Sequence, residues 1–171
     1  EEALAKIREL TPDGTEVTTG SSITLEQIGF VDLLKSGMHP WKNWKDIILA
    51  ETDKAKQARL RKEAILSEYF LGSVHAITKD GVVLDASNSG SQIPSYAFSS
   101  PNVIWVAGTQ KIVPTLEDGL KRIREYVLPL EDAHMKGLGY KGSAIGKILI
   151  FERETVGRKI HLILVNEVLG F

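Results

Sequence analysis

The stretch Val103-Ile-Trp-Val-Ala-Gly-Thr-Gln-Lys111 decides the fold of this chain. It begins with a continuous apolar run, which is typical of a parallel strand that is buried on both faces. Gly108 and the polar residues that follow end this strand, and Lys111 comes directly after its carboxyl end. Ligands of open α/β sheets bind beyond the carboxyl ends of the strands. The stretch therefore predicts a buried central strand and places a lysine where it could meet an anionic group as a point charge.

Helical and strand-like patterns alternate on both sides of this strand. Apolar spacing and N-cap residues predict helices over residues 1–10, 25–35, 53–70 and 115–127, with Thr24 and Thr115 as N-caps and Pro129 beyond the last helix. Shorter apolar runs predict strands over residues 15–18, 73–78, 82–84, 147–151 and 160–165. The alternation predicts an α/β domain over residues 1–171, with a mainly parallel sheet flanked by helices.

The composition is that of an ordinary globular domain. The chain has 171 residues, of which 43% are hydrophobic and 25% are charged. Lys and Arg total 21 against 22 Asp and Glu, so the net charge is −1, which argues against non-specific binding of nucleic acid. The absence of cysteine excludes disulfides, thiolate nucleophiles and iron–sulfur clusters held by this chain, and it suits a reducing compartment.

Neither a membrane segment nor a targeting segment is evident. Every apolar run is far shorter than the roughly 20 residues that a membrane-spanning helix needs. The chain opens inside a helical pattern, on Glu1-Glu-Ala-Leu4, without an initiator Met. We therefore expect a missing N-terminal leader and a cytoplasmic protein with no membrane partner.

Three loops are rich in glycine, hydroxyl and amide groups. The first follows a short strand at Thr18-Thr-Gly-Ser-Ser22, the second follows another strand at Ala86-Ser-Asn-Ser-Gly-Ser-Gln92, and the third is Gly108-Thr-Gln-Lys111. Their side chains and free backbone N–H groups suit a small anion such as a phosphate or a carboxylate. The candidate ligand-binding residues are Gly20, Ser21, Ser22, Asn88, Ser89, Gly90, Ser91, Gln92, Gly108 and Lys111.

Plainer interpretations stay open for each feature. The first loop could be a capped turn, the second a polar surface turn, and Lys111 of the third a solvated lysine.

The acids or bases near these loops are Asp85 and the catalytic candidates Glu68, Asp80 and Glu131, which position alone suggests. The four histidines form no HxH or HxxxH pair, and His75 and His161 lie in apolar strand patterns that favour core or edge positions. Trp41 and Trp44 favour packing of a loop over an aromatic lid. We expect no metal site and no cofactor.

Several stretches in combination fit one known family. They are Gly20-Ser-Ser-Ile-Thr-Leu-Glu-Gln-Ile-Gly29, the run from Gly72 to Gly81, Asp85-Ala-Ser-Asn-Ser-Gly-Ser-Gln92, the central run from Val103 to Val113, Leu116-Glu-Asp-Gly-Leu-Lys-Arg-Ile-Arg124, Pro129-Leu-Glu131 and Val165-Asn-Glu-Val-Leu-Gly-Phe171. Together they resemble the LUD-domain family, which includes lactate utilisation protein C. Many members carry an acidic-Thr-Gly element where this chain has Lys79-Asp-Gly81. The chain therefore resembles the branch of the family that has no assigned reaction.

The resemblance implies a fold more specifically than an activity. It implies the Rossmann-like α/β fold shared by glucosamine phosphate deaminase, ribose phosphate isomerase and CoA transferases, in which similar loops and a lysine hold phosphorylated or carboxylated small molecules. By that analogy, positions 20–22 and 88–92 line one pocket with Lys111.

Two functions follow as hypotheses, beside a third, purely structural role. The first is binding of a small anionic metabolite, with proton transfer to it and a link to lactate utilisation. The alternative is a non-catalytic partner subunit of an iron–sulfur redox complex. The candidate partners are thus a small anionic metabolite, iron–sulfur subunits and a second copy of the chain in a homodimer.

Overall fold

A computed structural model describes residues 1–171. Its main sheet has five strands, all parallel, in the order β2-β1-β3-β6-β9. Their bounds are β1 Glu16–Thr19, β2 Lys42–Asn43, β3 Tyr69–Gly72, β6 Asn102–Gly108 and β9 Lys159–Val165. The predicted α/β fold with a mainly parallel sheet is therefore confirmed, and the stretch from Val103 to Ala107 is a buried strand within that sheet, as its sequence indicates.

A second, mixed sheet packs against the first. Its four strands lie in the order β7-β4-β5-β8, with bounds β4 Ala76–Thr78, β5 Val83–Ser87, β7 Ile112–Val113 and β8 Lys147–Phe151. β4 and β5 form an antiparallel hairpin, and β8 pairs antiparallel with β5. The sequence predicts β4, β5 and β8 as strands, but it does not predict β7 or the separation of these four strands from the main sheet.

The helices lie on the outer sides of the two sheets. Their bounds are α1 Glu2–Leu10, α2 Ile23–Gln27, α3 Phe30–Ser36, α4 Trp44–Ala50, α5 Lys54–Glu63, α6 Leu116–Arg122 and α7 Leu128–Gly137. One-turn 3₁₀ segments cover Ala64–Leu66 and Thr109–Lys111, and π-helical turns cover Ser95–Ser99 and Ile123–Val127.

The side chains of β6 alternate between the two faces of the main sheet, and this alternation divides the core into layers. Ile104 and Val106 of β6 pack against α1, α2 and α3, whereas Trp105 and Ala107 face Tyr96 and the second sheet. This is the period of two that a strand imposes on its side chains. On the far side of the second sheet, Ile123 packs against the hairpin residues Ala76 and Leu84. The order of layers is therefore helix, main sheet, second sheet, helix.

The predicted helix over residues 25–35 is two helices. Ser22, not Thr24, is the N-cap, because its hydroxyl accepts the Leu25 backbone N–H at 3.2 Å. The chain then turns at Gly29, whose φ of +79° is in the left-handed region that favours glycine. The Thr24 side chain is thereby free to point inward, and it is 1% exposed.

The predicted helix over residues 53–70 ends early. The helix begins where it was predicted, with Asp53 as its N-cap, but α5 stops at Glu63 and residues 69 and 70 belong to β3. β3 pairs with β1 on one side and with β6 on the other. The apolar spacing of residues 64–70 is compatible with a helix. Residues 69 and 70 are extended instead because they form hydrogen bonds with the distant strands β1 and β6.

The helix predicted to end before Pro129 continues through it. Thr115 does cap α6, accepting the Asp118 backbone N–H at 3.1 Å. The helix then runs to Gly137 because a π-helical turn at Ile123–Val127 resets its register, so that Pro129 falls in the first turn of α7. Proline is tolerated in a first turn because its missing N–H is not needed there.

The strand predicted over residues 73–78 is shorter in the structure, since only Ala76–Thr78 is extended in the sheet.

The two tryptophans near Pro40 serve packing. Trp41 is 6% exposed, packs against Phe30, and donates its indole N–H to the Thr11 carbonyl at 3.1 Å. The Trp44 indole N–H is bonded to the Glu16 carboxylate at 3.2 Å. Both contacts agree with the packing interpretation.

Candidate functional site

A cavity of about 480 Å³ opens where several strands end. The loop after β1, the segment after β3, the loop after β5 and Lys111 after β6 all line it, together with α7 and the C-terminal residues. β1, β3 and β6 are parallel neighbours, so their carboxyl ends meet at one edge of the sheet. The cavity therefore occupies the position that this sheet type favours for ligands.

Most of the sequence-predicted ligand-binding residues line this cavity. Those that do are Gly20, Ser21, Ser22, Asn88, Ser89, Ser91, Gln92 and Lys111. Gly90 and Gly108 do not. Gly90 instead donates its backbone N–H to Ser87 Oγ at 2.8 Å, which shapes the loop. Gly108 is packed under the C-terminal segment, where an added Cβ would lie 2.4 Å from the Glu167 carbonyl oxygen.

The three acidic candidates separate in space. Glu131 of α7 lines the cavity and is half-buried. Glu68 precedes β3 and therefore lies at the amino end of that strand, where it accepts the Glu16 backbone N–H at 2.8 Å. Asp80 lies in the β4–β5 turn and accepts the Thr78 hydroxyl. Neither Glu68 nor Asp80 lines the cavity.

Lys111 is the buried cation of the site. Its side-chain nitrogen donates to Ser73 Oγ at 3.0 Å and to Thr24 Oγ1 at 3.2 Å. Ser73 in turn donates its hydroxyl to Thr24 Oγ1 at 3.1 Å. The lysine is 2% exposed and forms no ion pair. A buried lysine is almost always paired with an opposite charge, so this arrangement is unusual.

Burial lowers the pKa of Lys111 from 10.5 to about 8 because a charged amine loses its hydration there. The positive charge of Arg122 lowers the pKa as well, while the negative charge of Asp85 raises it. Most molecules still carry the proton at pH 7, since 7 lies below the pKa. The site therefore presents a positive charge that the protein itself does not neutralise by contact.

A histidine–aspartate pair forms a second polar element of the cavity wall. His75 Nδ1 lies 2.8 Å from Asp85 Oδ1 and 3.0 Å from the Ala86 backbone nitrogen. The Ala86 N–H can donate to Nδ1 only if Nδ1 carries a lone pair, whereas Asp85 can accept a hydrogen bond from Nδ1 only if Nδ1 carries a proton. The two contacts therefore exclude each other as hydrogen bonds. The shorter contact is to a carboxylate, and charge-assisted hydrogen bonds are the stronger kind. We therefore assign the proton to Nδ1, which leaves Nε2 with the lone pair.

The remaining polar groups hold Asp85 in place. Gln92 donates its amide to Asp85 Oδ2 at 3.0 Å and accepts the Ser87 hydroxyl at 2.8 Å. Asp85 is 2% exposed, whereas the His75 side chain is 26% exposed and its Nε2 makes no hydrogen bond within the protein. A buried carboxylate that orients an accessible imidazole is the arrangement that general acid–base catalysis uses.

Sequence reasoning missed Thr24, Ser73, His75 and Tyr96 as cavity residues. The sequence predicts two strands separated by the turn pair Asp80-Gly81, but only the observed register, in which Ala76 pairs with Leu84 and Ile77 with Val83, places His75 opposite Asp85. No sequence signal pointed to Thr24 and Ser73, because their contact with Lys111 joins segments that are 87 and 38 residues away along the chain.

Comparison with known proteins assigns the family. The family model of the LUD domain matches residues 1–165. The chain belongs to the LUD domain family. The matched region of this LUD domain includes every cavity-lining residue except Gly170 and Phe171. No curated protein sequence matches the chain.

Solved structures are similar to this LUD domain at low sequence identity. Beta-subunit eIF2B from Chaetomium thermophilum is 13% identical, with a TM-score of 0.43 over 68% of this chain and 44% of that chain. A DUF162 family protein from Deinococcus radiodurans is 11% identical, with a TM-score of 0.39 over 95% and 96% of the two chains. This chain therefore spans less than half of the eIF2B beta chain and nearly all of the DUF162 protein.

None of the helices has the length and apolar character that crossing a membrane would require. No three His, Asp or Glu side chains lie together in a way that could hold a metal ion.

Proposed function

We propose that this LUD domain binds a small anionic metabolite whose charged group contacts Lys111. The observation that carries the proposal is the buried, protonated side chain of Lys111, which has two hydroxyl partners and no ion pair. Burying a charge without an opposite charge costs free energy. An anion that enters the cavity supplies the missing charge, and its binding is favoured for that reason.

The donors around Lys111 support the same proposal. Ser21, Ser22 and Asn88 face the cavity with hydroxyl and amide groups. Such groups donate hydrogen bonds to phosphate or carboxylate oxygens without adding charge. Because the net charge of the chain is only −1, attraction of an anion depends on this local arrangement and not on a field of the whole protein.

His75 extends the proposal from binding to proton transfer. With Nδ1 bonded to Asp85, Nε2 is a free base on the wall of the same cavity. A ligand held at Lys111 with an acidic C–H or O–H group near Nε2 could give that proton to His75 and take it back. Lactate is included among the first ligands to test, because the family includes lactate utilisation protein C.

The test is isothermal titration calorimetry of lactate, hexanoate and inorganic phosphate against the wild type and Lys111→Met. Lys79→Met is the charge-matched control, because Lys79 is exposed and lies outside the cavity. We expect at least one anion to bind the wild type and the control alike, and to lose tenfold or more in affinity in Lys111→Met. Absence of binding by all three anions, or equal binding to Lys111→Met, contradicts the proposal and favours the role as a partner subunit of an iron–sulfur complex.

A further inference from the structure

We propose that the ligand of this site is an amphipathic monocarboxylate, with a single negative charge at Lys111 and an apolar body longer than that of lactate. This inference rests on the proposed function, because it takes an anion at Lys111 as given. It adds the chemical class of the rest of the ligand. The side of the cavity that is formed by the π-helical turn Ile123–Val127 and by α7 indicates this class.

One face of a continuous helix forms this side. Residues 116–137 run through α6, the π-helical turn and α7 without a break. Ile123, Val127, Glu131 and Met135 recur at intervals of four along it and all line the cavity, as does Leu128. Residues four apart lie on the same face of a helix. All but one of these residues are apolar.

Two residues from elsewhere extend the apolar surface. Ile145 packs against the cluster that contains Ile123. The Phe171 ring lies 6.2 Å from the ring of His134 on α7. Both line the cavity as well. We call the set Ile123, Val127, Leu128, Met135, Ile145 and Phe171 the apolar bank.

The cavity therefore has two unlike parts. Lys111, Ser73 and Thr24 form a connected polar cluster, whereas the side chains of the apolar bank carry no hydrogen-bonding nitrogen or oxygen. A sugar phosphate has hydroxyl groups along its whole length, and those facing the apolar bank would lose their water without gaining a partner, which costs free energy. A carboxylate with an aliphatic or aromatic body meets both parts without that loss.

Glu131 determines how many charges the ligand carries. It interrupts the apolar bank, is half-buried, and forms neither a hydrogen bond nor an ion pair with the protein. A second carboxylate on the ligand, placed near α7, would be repelled by this unpaired negative charge. The preferred ligand is therefore a monoanion with its head at Lys111 and its apolar end along the helix.

The experiment is calorimetric titration of straight-chain monocarboxylates from propanoate to octanoate, with adipate and inorganic phosphate as comparisons. We expect affinity to rise about two- to fourfold for each added methylene until the cavity is filled, because each buried methylene favours binding. We expect adipate to bind at least tenfold more weakly than hexanoate, and Glu131→Gln to reduce that difference.

Leu128→Gln tests the apolar bank directly, with Leu130→Gln as its matched control. Leu130 is on the same helix, 37% exposed, and does not line the cavity. We expect Leu128→Gln to flatten the dependence of affinity on chain length and Leu130→Gln to preserve it. Thermal unfolding of both variants confirms that each is folded.

The outcomes distinguish the amphipathic ligand from the anion site at Lys111 on which it rests. Binding of phosphate or of all carboxylates with equal affinity, lost in Lys111→Met, overturns the amphipathic ligand and leaves the anion site at Lys111 standing. Failure of every anion to bind the wild type overturns the proposed function itself.

Discussion

The side-chain nitrogen of Lys111 lies 3.0 Å from Ser73 Oγ, and this contact joins the ends of two neighbouring parallel strands. Ser73 directly follows β3, and Lys111 ends the 3₁₀ turn that follows β6. Because the strands are parallel, both residues leave the sheet at the same edge. The pair places a positive charge in the wall of the cavity.

Replacing Lys111 by Met is expected to stabilise the ligand-free protein. A pKa lowered from 10.5 to about 8, mainly by burial and further by the charge of Arg122, corresponds to about 3 kcal/mol of unfavourable free energy for the charged amine at pH 7. Loss of the two hydrogen bonds from Lys111 offsets about 1 kcal/mol of this gain, because Ser73 and Thr24 remain bonded to each other. The free energy of unfolding, measured with urea at pH 7, should rise by about 2 kcal/mol. A decrease would show that Lys111 stabilises the empty fold.

The stability of the wild type should increase with pH above 8, relative to Lys111→Met. The pKa of Lys111 is about 8 when folded and 10.5 when unfolded, so between these values the unfolded chain binds more protons. Stability rises with pH wherever the unfolded state binds more protons. We expect the difference in the free energy of unfolding between the two proteins to shift by about 1 to 2 kcal/mol in favour of the wild type between pH 8 and pH 9.5. Parallel pH dependences of the two proteins would contradict the assigned pKa.

Asp85→Asn should change the tautomer of His75. Asp85 accepts the Nδ1 proton at 2.8 Å, whereas the amide of an asparagine can donate to Nδ1 and move the proton to Nε2. The ¹⁵N chemical shifts of the imidazole distinguish the two tautomers. We expect the Nδ1–H form in the wild type and the Nε2–H form in the variant. Asp80→Asn is the control, since Asp80 lies in the distant turn and should leave the His75 signals unchanged.

Gly72→Ala should destabilise the fold through Tyr96. An added Cβ would lie 1.8 Å from the Tyr96 hydroxyl oxygen, which itself donates to the Ser73 carbonyl at 3.1 Å. Tyr96 is 2% exposed and cannot move without disturbing the core, so we expect a loss of about 3 kcal/mol. Gly72→Ala with Tyr96→Phe should recover part of this loss, because the clashing oxygen is removed. Thermal unfolding measures both variants.

Gly137→Ala is the control for this comparison. Nothing lies within 4 Å of a Cβ built at Gly137, which is the last residue of α7. We expect a change in stability of less than about 1 kcal/mol, in either direction. A Gly72→Ala variant as stable as this control would show that Tyr96 can be displaced at little cost.

Local patterns were informative where one segment determines its own structure. The continuous apolar run before Gly108 could be predicted as a buried strand, and Thr115 as an N-cap, because each depends on neighbouring residues. The hydroxyl-rich loops were recognisable for the same reason. The end of α5 was not, because Tyr69 and Phe70 fit a helical spacing and become a strand only through pairing with β1 and β6.

The sequence by itself determined the family, the parallel α/β class and the loops that surround the cavity. Only the tertiary structure decided that Lys111 meets Ser73 and Thr24, that Asp85 orients His75, and that α7 continues past Pro129 to supply one side of the cavity. The physical reason is that motifs and hydrophobic periodicity act over a few residues, whereas the burial of a charge depends on which distant segments the sheet brings together. The position of Lys111 after a buried strand is a property of the sequence, and its burial without a counter-charge is a property of the fold.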